Sequence, residues 1–398
     1  MKLFQQMLVA GATLSLLAPI AAEASNVVNL EEMNSYSRSK SKPKKFDSKT
    51  FINKINDDTA NTQGSNDALK VNKGLEAGTF SDTTTLDGKV ILAIGAVQGA
   101  NELTGAADGT NEKVQVPYVY QMNLNTSFGG DDNLYIRLKT GQGWSGAFGH
   151  KPGTYHIDNK DEDDIFKVDK IWYTFPIGGN FTATLGPKIE NYYMLAATPS
   201  VYKPGALKAF KLGGHGSAFG ASTSTGVGLK YVADNGFAIS TTVNSKDAHS
   251  TNGWFTDEDQ NKINTQVAYT ADNYHLSATY SRQQGWNSWS YYSTSLLNNG
   301  VGALDVKSDS VALRGWWRPE DYGSFPSISV GYDHMEFTGR NDVTQGNGYF
   351  VGLNWADIFL PDDKIGLAIG QPMKATKAPG GANLNEVSPF MYELYYSF

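Results

Sequence analysis

The chain of 398 residues contains no cysteine, carries a formal net charge of -7 and has only 18% charged residues. This charge balance argues against nucleic acid as a partner, and the absence of cysteine excludes a disulfide-stabilised scaffold. After residue 24 no stretch approaches the roughly 18 consecutive apolar residues of a membrane-spanning helix, and the mean hydropathy is -0.38. The composition excludes a helical membrane protein but allows membrane strands, whose alternating pattern escapes window averages.

Residues 1–24 are predicted to be a signal peptide. Lys2 supplies the positive start, a short apolar run follows from Met7 to Ile20, and Ala22-Glu23-Ala24 is a small-x-small cleavage site. The mature chain is then expected to begin at or near Ser25, and the protein is expected to be exported.

Residues 25–78 are predicted to form a polar, basic N-terminal segment in the periplasm. Lysines cluster between Ser37 and Lys54, and Asn, Asp, Thr and Ser dominate as far as Gln63. Such a composition offers little apolar surface to bury, so we interpret the segment as a flexible or loosely helical linker. The alternative is that its lysines contact an anionic polymer of the cell envelope.

Residues 79–398 have the pattern of paired β-strands. Residues 118–128 and 134–139 form a hairpin around the sequence GGDDN, with apolar residues on one face and polar residues, including Arg137 and Lys139, on the other. Similar units recur, and 14 strands are counted from 89–97 to 389–398, with 16 as the alternative. The pattern predicts an all-β, transmembrane, antiparallel up-and-down barrel whose charged faces border a wet lumen.

Short turns alternate with long polar connections at 98–115, 141–165, 189–224, 245–261, 282–308, 334–347 and 371–388. Membrane barrels show this asymmetry, with short periplasmic turns and long external loops. Aromatic residues flank the short turns and predict a girdle at one membrane interface. They are Phe128, Phe175, Phe181, Tyr231, Phe237, Tyr269, Tyr274, Trp317, Phe325, Trp355 and Phe398.

The chain ends on a strand with one wholly apolar, aromatic face. Phe390, Tyr392, Leu394, Tyr396 and Phe398 occupy its alternate positions. A terminal Phe on such a strand resembles the sorting signal of bacterial outer-membrane barrels, and the alternative is the last strand of a soluble β-sandwich. An even strand count places both termini in the periplasm and predicts an integral outer-membrane protein.

Three stretches resemble the cyanobacterial outer-membrane porin family, which is related to carbohydrate-selective porins. They are LEAGTFSDTTTLDGKV (75–90), LGPKIENYYML (185–195) and GGHGSAFGASTSTGVGLKY (213–231). The resemblance covers roughly 75–398 and implies a homotrimeric channel for ions and small solutes, with some members assigned to carbohydrate or iron uptake. The chain departs from the family because residues 25–74 are too short and polar for its usual S-layer-homology domain. A second departure lies at YELYYSF (392–398), because family members continue past the matching segment into a further hairpin, which gives them 16 strands.

Strand parity places basic side chains on the lumen face. The longest connection, 189–224, is expected to fold inward and narrow the pore. The candidate pore-lining and constriction residues are Arg137, Lys139, Lys170, Lys188, Lys203, Lys208, Lys211, His215, Lys230 and Arg314. A narrow channel focuses their field, so they predict a modest preference for anions, unless acidic external loops balance them.

The sequence predicts a water-filled channel in outer-membrane lipid for passive diffusion of small hydrophilic solutes and inorganic ions, without cofactor or metal. A carbohydrate channel is one alternative, for which Trp144, Trp172, Trp286 and Trp289 are candidate stacking surfaces, and an iron channel is another. The sequence lacks a phosphate-binding loop, an H-E-x-x-H motif and a nucleophile elbow, which argues against an enzyme. The strand pattern is also compatible with a plugged structural barrel or with an outer-membrane lipase or protease.

Overall fold

The computed structural model describes residues 83–96, 113–142, 162–207, 209–210, 213, 218–219, 223–286, 293–298, 302–320, 325–384 and 390–398. Within them, 14 β-strands form one sheet in which each strand pairs antiparallel with the next in the chain. The strands are β1 (Thr84–Leu92), β2 (Tyr118–Thr126), β3 (Asn133–Gln142), β4 (Lys167–Ile177), β5 (Phe181–Glu190), β6 (Thr223–Val232), β7 (Phe237–Ser245), β8 (Asn261–Thr270), β9 (Tyr274–Gln284), β10 (Lys307–Trp317), β11 (Ser327–Thr338), β12 (Gln345–Ala356), β13 (Lys364–Lys377) and β14 (Met391–Ser397). The all-β prediction with 14 strands is confirmed, and the predicted signal peptide and N-terminal segment lie outside the described residues.

Helical structure is minor in the described residues. It consists of a 3-10 turn at Asn191–Met194, a single α-helical turn at Ser295–Asn298 and a 3-10 turn at Pro379–Gly381. No helix among these residues has the length and hydropathy needed to cross a membrane.

The strands present apolar side chains outward and polar side chains inward. On β8 and β9, Val267 is 52% exposed and Leu276 is 62% exposed, whereas Gln266 and Ser281 between the apolar positions are buried. This is the reverse of a soluble protein, in which apolar side chains gather inside. Such a wall is stable where hydrocarbon surrounds the outer face and water or polar groups fill the interior.

One inward segment contacts both edge strands of the sheet. The Lys89 ammonium group on β1 donates to the carbonyl of Gly205 at 3.4 Å. The Tyr395 ring on β14 lies 5.6 Å from the ring of Tyr202. In a flat sheet of this many strands the edges would be about 60 Å apart. The sheet is therefore rolled into a barrel around this segment.

Aromatic side chains gather at the short-turn end of the barrel. The ring centroids of Phe181 and Tyr231 are 4.8 Å apart, and Tyr269 lies 4.9 Å from Phe237 and 5.9 Å from Tyr274. Further contacts at this end join Phe128, Tyr173 and Phe175, and also Phe359, Tyr396 and Phe398. Aromatic rings are stable at the boundary between lipid and water, as the predicted girdle requires.

Several strand boundaries differ from the sequence prediction, and β13 continues to Lys377, inside the predicted connection 371–388. β1 spans Thr84–Leu92 rather than 89–97, and Gly88 lies inside it, where an added Cβ would overlap the Gln121 carbonyl group. The connection between β11 and β12 is only 339–344, because the polar stretch after Tyr332 continues the strand. Polar residues at the long-connection end of a strand can therefore continue the strand instead of beginning the loop. Amino-acid composition alone does not distinguish these two cases.

Candidate pore lining and constriction

The long connection after β5 folds into the barrel, as the sequence predicts. We call the described residues of 191–219 the constriction segment. The amide of Ala196 donates to Ser240 Oγ at 3.0 Å, and Ala197 exchanges hydrogen bonds of 3.0 and 3.1 Å with the side-chain amide of Gln266. Further along, the amide of Val201 donates to Ser329 Oγ at 3.0 Å. The segment therefore crosses the inner wall from β7 to β11.

Aromatic contacts anchor the far end of the constriction segment. The Phe350 ring on β12 lies 5.6 Å from the Tyr202 ring and 5.0 Å from the Phe210 ring. Gly352 makes room for this packing, since a Cβ at that position would come within 3.0 Å of Tyr202. Irregular backbone at membrane depth requires protein or water partners for its polar groups, and the wall supplies them here.

The inward faces of β1–β5, which we call the mixed-charge wall, combine basic and acidic side chains. Arg137 donates through Nε to Asn123 Oδ1 at 3.0 Å, and its Nη1 lies 4.0 Å from Asp169. Lys170 forms a buried ion pair with Glu190 and lies 3.7 Å from Asp169. Lys139 is also inward and buried. The basic side chains predicted here therefore point inward, where acids accompany them.

An aromatic stack lies beside these charges. Tyr135 stacks on Trp172 with ring centroids 4.4 Å apart, and Tyr193 of the constriction segment lies 5.3 Å from Trp172. Tyr193 also accepts a hydrogen bond of 2.9 Å from Arg137. Trp172 is only 1% exposed, so its ring is covered and has no face for a passing sugar. Trp286 is covered to the same degree, whereas Trp144 and Trp289 lie outside the described residues.

Arg314 lies underneath the constriction segment. Its Nη2 donates to both carboxylate oxygens of Asp333, at 2.8 and 2.9 Å, and its guanidinium lies 4.8 Å from the ring of Phe219. The Arg314 side chain has no exposed surface. Its charge is therefore neutralised by Asp333 and separated from the lumen by the segment.

The other predicted basic residues are dispersed. Lys230 is half-buried on the inward face of β6, and Lys203 is half-buried on the constriction segment. Lys188 is exposed and opposes Ile171 on the outward face, because the register of β5 shifts between Gly186 and Ile189. The remaining three candidates, Lys208, Lys211 and His215, lie outside the described residues.

Comparison with solved structures returns porins. OprB of Pseudomonas putida is 10% identical, with 73% of this chain and 74% of that chain covered and a TM-score of 0.46. OmpF of Salmonella typhi, in complex with daunomycin, is 12% identical with 81% and 88% covered and a TM-score of 0.49. The outer-membrane channel DcaP of Acinetobacter baumannii is 11% identical, with 81% and 100% covered and a TM-score of 0.41. No protein-family model matches the chain, and no curated protein matches it at a significant level.

The chain has a porin-like β-barrel fold. Its strand order, its apolar outer face and its inward constriction segment carry this conclusion.

Sequence reasoning placed Lys230 and Arg314 on the inward faces of β6–β10, but it missed Lys262 and the lack of inward acids on these strands. We call this region the acid-free wall, because no Asp or Glu points inward from these five strands. Lys262 on β8 is fully buried there. The alternation of Lys262, Asn264 and Gln266 in the sequence was the available signal. The other inward polar side chains of β7–β9 are Ser240, Thr242, Asn244, His275, Ser277, Thr279, Ser281 and Gln283.

The polar cluster around His334 faces outward. His334 Nδ1 lies 2.6 Å from Asn347 Oδ1, and its Nε2 lies 3.3 Å from Glu336. Among the described residues, no group of three side chains is arranged to hold a metal ion.

Proposed function

We propose that this protein is an outer-membrane porin, a water-filled channel for passive diffusion of small hydrophilic solutes and inorganic ions. The observation that carries the proposal is the rolled 14-stranded sheet with an apolar exposed outer face and a polar inner face. A segment folded across the lumen would narrow such a channel without filling it. The proposal includes membership of the cyanobacterial porin family and assembly as a homotrimer, on the sequence resemblance.

The proposed orientation places the short turns and both termini in the periplasm and the long connections outside. The aromatic side chains beside the short turns support it, since rings of this kind mark an interface between lipid and water. A signal peptide at residues 1–24 would deliver the chain to this location.

The proposed selectivity is a modest preference for anions. On the mixed-charge wall, Lys89, Arg137, Lys139 and Lys170 face three acids, Asp87, Asp169 and Glu190. The excess of one positive charge is small, so the preference should be weak and should decrease as salt screens it. Lys230, which is half-buried on the acid-free wall, adds to it.

Single-channel recording of the refolded mature chain in a planar bilayer tests the proposal. We expect stable steps in symmetric KCl and a reversal potential in a KCl gradient with the sign of anion preference. Lys139→Gln should shift that potential toward cation preference, whereas Lys307→Gln, at an exposed position on β10, should leave it unchanged. Absence of steps from a folded barrel would contradict the channel, and cation preference of the unaltered chain would contradict the selectivity.

No second function is favoured by the site. The covered rings of Trp172 and Trp286 speak against a sugar-stacking track in the described lumen. The described residues likewise offer no side-chain cluster suited to iron.

A further inference from the structure

The connection between β7 and β8, residues 246–260, presents two exposed aromatic rings. Trp254 and Phe255, which we call the aromatic pair, are 41% and 48% exposed. Their ring centroids are 5.6 Å apart and their planes are inclined by only 14°, so the rings stack on one another. The sequence STNG precedes the pair and TDE follows it. Such polar and charged flanks are costly to place in hydrocarbon, so the pair is expected to face water at the long-connection end of the barrel.

The backbone around the aromatic pair adopts a conformation that residues with a Cβ rarely take. Phe255 has a φ of 59°, and Gly253, on the other side of Trp254, has a φ of 78°. The left-handed region is unfavourable for phenylalanine, because its Cβ approaches the following carbonyl oxygen. The amide of Phe255 is held by a hydrogen bond of 2.9 Å to Asp259 Oδ2. The loop therefore fixes two aromatic rings in solvent although neither the backbone nor the hydrophobic effect favours that position.

Two carboxylates lie beside the aromatic pair. Asp257 and Glu258 are exposed, and they are the central residues of a turn closed by a hydrogen bond of 3.2 Å from the amide of Asp259 to the carbonyl of Thr256. Asp257 follows Phe255 by two residues, so their Cα atoms are at most about 7 Å apart. The rings and the negative charges therefore occupy one small surface.

Asn252 joins the two halves of this surface. Its carbonyl accepts a hydrogen bond of 2.5 Å from Thr256 Oγ1, and its Nδ2 lies 3.5 Å from the carbonyl of Glu258, to which it donates. Gln284 on β9 donates through Nε2 to the carbonyl of Asp257 at 3.3 Å. These contacts close the loop 252–258 upon itself and attach it to the barrel, so the surface is held in place without a ligand.

The exposed charge of the connection is negative. Asp259 is buried and accepts hydrogen bonds from Ser245 Oγ at 2.7 Å and from a loop amide, so it holds the backbone. Lys246 and Asp247 are adjacent residues of opposite charge, and both are half-buried. Among the acidic and basic residues of 246–260 other than His249, only those at 257 and 258 are exposed. The surface therefore combines aromatic rings with uncompensated carboxylates.

We propose that the aromatic pair, with the carboxylates of Asp257 and Glu258, binds a small organic cation that carries an alkylated ammonium group. Aromatic ring faces attract cations, and tryptophan does so most strongly. The alkyl groups of such a ligand cover apolar ring surface, and the carboxylates supply the opposite charge. An inorganic cation would use only the carboxylates, and a neutral solute only the rings. The inference goes beyond the proposed channel, because the site lies on a loop and needs no conduction.

Isothermal titration calorimetry on the refolded full chain in nonionic detergent tests this inference. Choline chloride is titrated at an ionic strength held constant with KCl. The neutral probe is 3,3-dimethylbutan-1-ol, which has the shape of choline but a carbon atom in place of the charged nitrogen. Glucose tests whether the rings bind a sugar instead. We expect saturable binding of choline, at least tenfold weaker binding of the neutral probe and no binding of glucose.

Substitutions within the loop locate the site. Trp254→Ala should weaken choline binding about threefold to thirtyfold, the equivalent of one cation–π contact, and Trp254→Phe should retain part of the affinity. Asp257→Asn combined with Glu258→Gln should also weaken choline binding, and should bring its affinity closer to that of the neutral probe. Both sets of changes lie at exposed positions, so the barrel is expected to fold.

The matched controls are exposed residues at the short-turn end of the barrel. Phe325→Ala removes an exposed ring, and Asp234→Asn removes an exposed carboxylate. Choline binding should survive both unchanged. The inference is overturned by no saturable choline binding, by equal affinity for the neutral probe, or by equal losses from Trp254→Ala and Phe325→Ala. Saturable binding of glucose without choline would overturn it as well and would assign the rings to a sugar.

Discussion

The two sides of the barrel interior differ in the side chains that satisfy their buried polar groups. The mixed-charge wall of β1–β5 holds its polar groups in ion pairs and hydrogen bonds within the wall, such as Lys170 with Glu190. The acid-free wall of β6–β10 uses neutral hydroxyl and amide groups, and Ser240 and Gln266 bind the backbone of the constriction segment. Neutral groups can satisfy an irregular backbone without adding buried charge. The segment therefore docks its backbone at Ala196 and Ala197 on the acid-free side, and the water path is expected beside the mixed-charge wall.

The largest expected effect comes from breaking the buried ion pair of Arg314 and Asp333 under the segment. Arg314→Ala should destabilise the barrel by about 3–5 kcal/mol, because it leaves the buried Asp333 carboxylate without its partner. Urea unfolding of the refolded barrel measures this change. Arg282→Ala is the control, since its pair with Asp309 is 59% and 39% exposed, and such pairs contribute about 0–1 kcal/mol. Equal losses from both substitutions would refute the anchoring role of Arg314.

A neutral contact on the acid-free wall should matter less, but should report on the segment directly. Gln266→Leu removes both hydrogen bonds to Ala197 and should cost about 1–3 kcal/mol, since it leaves the amide and carbonyl of Ala197 unpartnered. We expect noisier single-channel currents as the segment loosens. Gln284→Leu is the control. It removes a hydrogen bond of 3.3 Å from Gln284 Nε2 to the carbonyl of Asp257, near the end of the barrel, and should leave the current trace unchanged.

Much of this comparison could be predicted from alternation alone. The inward placement of Arg137, Lys139 and Lys170 follows from strand parity, as do the 14 strands. The inward connection after β5 was predicted from its length. Lys188 departs from parity because a register shift in β5 rotates it outward. Neither that shift nor the burial of Arg314 beneath Phe219 has a local sequence signal, because both depend on contacts between distant parts of the chain.

Two short turns, between β2 and β3 and between β12 and β13, are held by one carboxylate each, and acid should weaken both. Asp132 accepts hydrogen bonds from the Phe128 and Gly129 amides and from Tyr173 Oη. Burial raises the pKa of Asp132, but these hydrogen bonds outweigh it and hold the pKa well below its usual value. Asp363 accepts from three amides, Ile358 to Leu360, and from Tyr396 Oη, and these bonds likewise outweigh burial and lower the pKa of its carboxyl group.

A lowered pKa in the folded state means that this stabilisation is complete above the unfolded pKa, about 4. It is lost as the pH falls below that value through the folded pKa. Unfolding transitions measured from pH 7 downward should therefore show the unaltered chain losing stability in acid. Asp132→Asn and Asp363→Asn should each flatten that dependence. A flat profile for the unaltered chain would exclude the role of these carboxylates.

The absence of cysteine makes one measurement especially direct: single-channel recording of two single-cysteine variants during addition of a positively charged thiol reagent. Lys139→Cys lies on the mixed-charge wall, and Gln266→Cys lies under the constriction segment. The account predicts an abrupt decrease in current after reagent for Lys139→Cys. For Gln266→Cys it predicts noisier steps, because the same hydrogen bonds to Ala197 are lost, and no change in the mean current after reagent. Folded barrels without current, or block at Gln266→Cys with none at Lys139→Cys, would contradict it.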